Sequence, residues 1–116
     1  MKIGVTSQNF RTITGHAGKA RRFLVFSPDD DGTPKEVERL DLPKEMSLHE
    51  FHGAEHPIDQ LDILITASCG NGFVRRMSSK NIKVVTTSEQ SPLHAVTQLL
   101  TGKSLAPPVP HDHHKH

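Results

Sequence analysis

The chain's only cysteine, Cys69, lies in "ITASCGNGFVRRM", residues 65–77, between a β-rich run and two glycines. Two readings of it stand side by side. In one it is a small hydrophobe packed under a turn, with Gly70 and Gly72 serving backbone geometry. In the other it is a thiol close to a helix N-terminus, where exposed amides stabilise the thiolate, lower its pKa and raise its affinity for metal. Arg75 and Arg76, one to two turns along, would add positive potential. His16 is a second candidate. Within "TGHAGKA" its small neighbours leave the imidazole accessible, and the flanking glycines admit a bulky ligand to the backbone, although a lone loop histidine is ordinarily just solvated. His49, His52 and His56 form a third group, with Glu50 and Glu55 as oxygen donors. Imidazole suits several transition metals, yet this group lacks a tight motif such as HExxH and reads first as solvated surface. The tail histidines His111, His113, His114 and His116, in "HDHHKH", are close together on a segment expected to be flexible and would take Ni, Zn, Cu or Co.

Other chemistries fit poorly. There is no P-loop, no GxGxxG opening a helix and no CxxC. Nucleophilic catalysis at Cys69 or a serine needs a base held by a third residue, and none is identifiable. With 14 basic and 13 acidic residues the net charge is +1, which argues against a large footprint on nucleic acid. No stretch approaches the roughly 20 apolar residues of a membrane span. One cysteine and no N-terminal apolar run predict a cytoplasmic protein without disulfides.

The elements that must position these residues are legible from pattern. "KIGVT" reads as a strand, "TITGHAGKARR" as a loop, and "RFLVFS" and "KEVERLDL" as strands joined through the turn "PDDDGTP". These three form an antiparallel meander. Ser47 and Glu50 have capping-box spacing and predict a short helix, broken early by Gly53 and Pro57. "DILITA" and "IKVVTT" are buried strands of the parallel type. "GNGFVRRMSSKN" has Phe73, Val74 and Met77 at helical spacing, and "SPLHAVTQLLTG" is a helix with Ser91 as N-cap, Pro92 in the first turn and Gly102 as stop. The expected architecture is a mixed five-stranded α/β sheet, three antiparallel strands then β-α-β-α, with flanking helices. It occupies residues 1–105, and residues 106–116 form a Pro/His-rich tail. In that topology the loop after "KIGVT" and the turn after "DILITA" follow adjacent parallel strands. His16 and a partly exposed Cys69 then share one edge, where open α/β sheets bind ligands.

In this order and spacing, "KIGVTS", "GHAGKARRFLVF", "DILITASCGNGFVRRM" and "NIKVVTT…SPLHAVTQLLTG" resemble the dinitrogenase iron–molybdenum cofactor biosynthesis family, the domain type of NifX, NafY and the C-terminal part of NifB. The resemblance runs from about Lys2 to Gly102. It implies a ribonuclease H-like fold and non-enzymatic work: binding or carrying an iron–sulfur or iron–molybdenum type cluster, transiently, among metallocofactor assembly or client proteins. No nucleic acid or membrane is expected as partner. The family's His-Phe-Gly-x-Ala loop places its candidate cluster ligand on His16, with Ala17 where phenylalanine is usual. Gly70 and Gly72 fall in its Gly-rich turn, while a role for Cys69 rests on local physics, since the family does not uniformly carry cysteine there. The fold name does not imply nuclease chemistry, which needs clustered carboxylates for two metals; "KIGVT" has none. The alternative is a Ni, Zn or Co storage or sensing module acting through the histidine tail.

Overall fold

Val, Ile, Leu and Phe runs at strand spacing form five strands: β1 (Ile3–Thr6), β2 (Arg22–Pro28), β3 (Pro34–Asp41), β4 (Ile63–Thr66) and β5 (Lys83–Thr86). The computed structural model describes residues 1–51, 53 and 55–109. Its strands make one sheet in the order β3-β2-β1-β4-β5. β2 runs antiparallel to both β1 and β3, and β1, β4 and β5 are parallel. The expected mixed sheet is therefore present, with β1 at its centre and every residue of β1 buried.

Alternation along the strands sends side chains to two cores. Phe23, Val25, Leu40 and Leu64 meet Met77 of α1 (Asn71–Ser79) on one face. Ile3, Val5, Leu24, Phe26 and Ile65 meet Ala95 and Val96 of α2 (Pro92–Leu100) on the other. α2 begins as its sequence predicts: the Ser91 side chain accepts from His94 N at 3.2 Å and Pro92 follows at the first position. Gly102, at φ 77°, ends it. The β2–β3 turn closes on Asp29, whose Oδ1 accepts from the amides of Asp31 and Thr33. Asp29 and Thr33 also hold the Asp31 carboxyl down at about 2. β3 is an edge strand with only Leu40 buried, and its charged outer residues discourage pairing with another chain. Among the described residues, no helix is long and apolar enough to cross a membrane.

Two local expectations are corrected. The loop holding His16 contains a short 3-10 turn, Ala17–Lys19. Ser47 does not start a helix: its carbonyl accepts from the amides of Glu50 and Phe51 and the turn stops there. The reason is tertiary, because the Arg76 guanidinium takes the Leu48 and Phe51 carbonyls and His49 N donates to Gly18 O. The reciprocal cap occurs later. His56 Nδ1 accepts from Ile58 N at 3.1 Å, and Asp59 Oδ2 accepts from His56 N at 3.0 Å, at the start of the 3-10 turn Pro57–Gln60.

His56 is consequently a structural residue. It is 5% exposed, and its Nε2 lies 2.6 Å from the Met46 carbonyl, which fixes the neutral tautomer with the proton on Nε2. Burial pushes its pKa below the ordinary 6.5. The unfolded chain therefore binds this proton more readily than the folded one, and protonation opposes folding. Stability from the neutral ring is complete above about pH 6.5 and falls as pH drops through that value toward the lowered one. Denaturant unfolding at about pH 7.5 and about pH 5 should show this step, and His56→Asn, which keeps a capping oxygen without titrating, should flatten it. Equal steps in the two proteins would remove His56 as its source.

The ordered chain continues past α2. Leu105 packs on the α2-side core, the Thr87 hydroxyl donates to Ala106 O at 2.6 Å, and Ser88 N donates to Pro107 O at 3.2 Å. His111, His113, His114 and His116 lie outside the described residues, as does His52.

Candidate functional site

Because β1 and β4 are parallel and paired in register (Ile3 with Ile63, Val5 with Ile65), their C-terminal ends emerge together. Thr6 and Thr66 stand at those ends, both fully buried, with their hydroxyls 2.8 Å apart. A buried hydroxyl needs a partner, and both find the Thr14 carbonyl, at 2.6 Å and 3.1 Å. Ala67 N donates to the same oxygen at 3.1 Å. One step further, His16 N donates to Ser68 Oγ at 2.9 Å and Ala17 N to Ser68 O at 3.1 Å. The loop after β1 is thus stitched to the turn after β4. Gly15 lies at the tightest point, where a Cβ would stand 2.4 Å from Ser68 Oγ.

This stitching sets the ligand candidates. His16 adopts the left-handed conformation, φ 54° and ψ 55°, which histidine enters more readily than bulkier residues but at some cost. Its side chain is exposed beside an open cleft of about 360 Å³, whose walls include His16, Lys19, His49, Ser68, Cys69 and Phe73. Cys69 is half-buried in that wall. His16 and Cys69 therefore share one sheet edge and one cleft.

Of the two readings of Cys69, the one with a lowered pKa is not what the structure favours. Burial pushes the thiol up from 9.0, because Cys69 precedes the α1 N-cap, Gly70, and desolvation outweighs any help from the helix amides. Arg76 is engaged with the Leu48 and Phe51 carbonyls. Gly70 lines the cleft, and Gly72 lines a smaller groove beside it. Neither glycine has a left-handed backbone, and a Cβ on either would meet open space.

The third histidine group divides. His56 is committed to its cap, while His49 joins the cleft from a different segment. Sequence spacing grouped His49 with the wrong neighbours, since what brings it to His16 is the 2.6 Å bond from His49 N to Gly18 O. Among the described residues, no three His, Cys, Asp or Glu side chains converge tightly enough for a single metal ion.

The sequence model of the dinitrogenase iron–molybdenum cofactor family matches residues 1–102. The chain belongs to this family. Solved structures agree with its fold. The crystal structure of PH0822 has a TM-score of 0.69 at 20% identity, covering 90% of this chain and 96% of that one. A candidate dinitrogenase from Methanocaldococcus jannaschii gives 0.65 at 13% identity, covering 89% and 90%. A candidate NifB protein from Thermotoga, solved by NMR, gives 0.53 at 12%, covering 96% and 97%. A search of curated proteins yields no match. At these identities the neighbours establish architecture. The family match links the chain to iron–molybdenum cofactor biosynthesis.

Proposed function

We propose that this chain is a non-enzymatic carrier for an iron–sulfur or iron–molybdenum type cluster, handed on between assembly proteins and held through His16 and Cys69. The observation that carries the reading is the open cleft that a loop imidazole and a thiol both line, on a chain of the cofactor-biosynthesis family. The donor chemistry fits: thiolate and imidazole are both found as ligands of iron clusters. The strand order with β2 reversed supports the ribonuclease H-like description. Nitrogenase-related assembly proteins are the partner class this implies, and the cytoplasm is the compartment.

A four-iron, four-sulfide cluster assembled anaerobically from ferrous iron and sulfide tests the reading. The wild type should take up iron and show charge-transfer absorption, with His16→Ala and Cys69→Ser each weakening retention by about tenfold or more. Failure of the wild type to load would overturn the carrier function; unchanged loading in both variants would overturn this site. Removing residues 110–116 should leave cluster loading intact, whereas under the tail-based metal-storage alternative the same cut should abolish binding of Ni, Zn or Co. The cut is placed there because Ala106 and Pro107 bond to the loop after β5.

A further inference from the structure

We propose that His49 is a third donor to the cargo, and that Arg76 is its positioning residue. This rests on the carrier reading above and extends it to a segment outside every regular element. The backbone around His49 is fastened from two sides. His49 N donates to Gly18 O at 2.6 Å, in the loop that presents His16. From α1, Arg76 Nη1 donates to Leu48 O, and Nη2 donates to Phe51 O at 2.8 Å. Beneath, Leu48 is 1% exposed within the core that contains Phe23 and Met77.

The ring itself is left available. The His49 side chain is 65% exposed, and its nearest carboxylate, Glu50, is 3.9 Å from Nε2, beyond hydrogen-bond range. A residue with a fixed backbone and an uncommitted imidazole, on the wall of a cleft that already holds an imidazole and a thiol, is built as a ligand would be. His56 is the contrast, with both ring nitrogens engaged in holding the fold. Three donors from three segments can each address a different iron of a polynuclear cluster. Arg76 explains how the middle segment keeps its place without helix or strand: charge-assisted bonds to two carbonyls are among the stronger ones available.

Loading with the same four-iron, four-sulfide cluster, on protein carrying isotopically labelled histidine, separates the possibilities by pulsed electron paramagnetic resonance of the reduced cluster. The wild type should show coupling to two histidine nitrogens. His49→Ala should lose one and release the cluster about tenfold faster. His16→Ala should lose the other. Arg76→Lys and Arg76→Gln should weaken the His49 coupling and speed release in the wild-type background, with no further effect in His49→Ala. If the wild type shows a single coupling, lost in His16→Ala and kept in His49→Ala together with the wild-type release rate, His49 is not a donor and the carrier reading stands. If the wild type takes up no cluster, the carrier reading falls and this inference with it. An equal effect of the Arg76 variants in both backgrounds would make Arg76 merely structural and overturn its positioning role.

Discussion

Phe23→Ala should cost about 3–5 kcal/mol of folding free energy, the largest loss expected from any single truncation in this chain. Phe23 is fully buried in the α1-side core, paired with Thr6 across β1 and with Leu40 across β3. Its removal leaves a ring-sized void among side chains that are held by three strands and cannot close in. Domains of this size hold roughly 5–15 kcal/mol in total, so the variant should unfold at much lower denaturant. Phe10 provides the comparison. It is half-buried, with the guanidinium carbons of Arg22 and Arg39 at 5.5 and 5.2 Å from its ring centroid. Its ring packs only partly buried against the α2-side core, and partly exposed cation–π contacts contribute about 0.5–1 kcal/mol each, so Phe10→Ala should cost less. Unfolding curves showing equal losses would contradict this division between full and partial burial. Leu48 belongs to the same core as Phe23, so cleft geometry should soften along with stability.

Gly15→Ala should reduce cluster retention about tenfold while leaving the sheet folded. The new Cβ would sit 2.4 Å from Ser68 Oγ and 3.4 Å from Ser68 Cβ, so the hydroxyl has to move. That hydroxyl accepts the His16 amide, and moving it frees the loop that presents the imidazole. Overpacking of this kind costs about 1–3 kcal/mol. The double variant Gly15→Ala/Ser68→Ala relieves the contact, since 3.4 Å between carbons is bearable, at the cost of the amide's acceptor. It should regain part of the stability and less of the retention. Retention of the cluster by Gly15→Ala at wild-type strength would show that the His16 loop holds its place without this seam.

Where information is local, the sequence was sufficient. The capped α2, the Asp-rich hairpin turn and the period of each strand are set by residues a few positions apart, and all were readable. The shared edge of His16 and Cys69 followed from strand direction alone. The turn at Ser47–Phe51 was not readable, because Arg76 and Gly18, which hold it, are 25 or more residues away from the carbonyls and amide they bind. For the same reason the sequence reads His56 first as solvated surface, and it proves to be a buried cap, with its second nitrogen on a carbonyl ten residues upstream. Between the two readings of Cys69 the sequence cannot choose, since helix proximity is visible in a sequence and the desolvation that raises the thiol pKa is not.

The pairing of β1 with β4 also governs when the cleft exists. Hairpin β2–β3 joins neighbouring segments, whereas Ile3 must find Ile63, 60 positions along a chain of 116. Such non-local pairings are slow steps in folding, because chain closure is paid for before the contacts reward it. On the ribosome, Cys69 follows His16 by roughly 3–10 s at ordinary rates of synthesis. Until β4 docks beside β1, the Thr6–Thr66–Thr14 seam is absent, and the imidazoles of a nascent chain are scattered along a flexible polymer. On the carrier reading, competence to take up cargo is therefore a property of the finished topology, and a nascent chain has no preformed cleft.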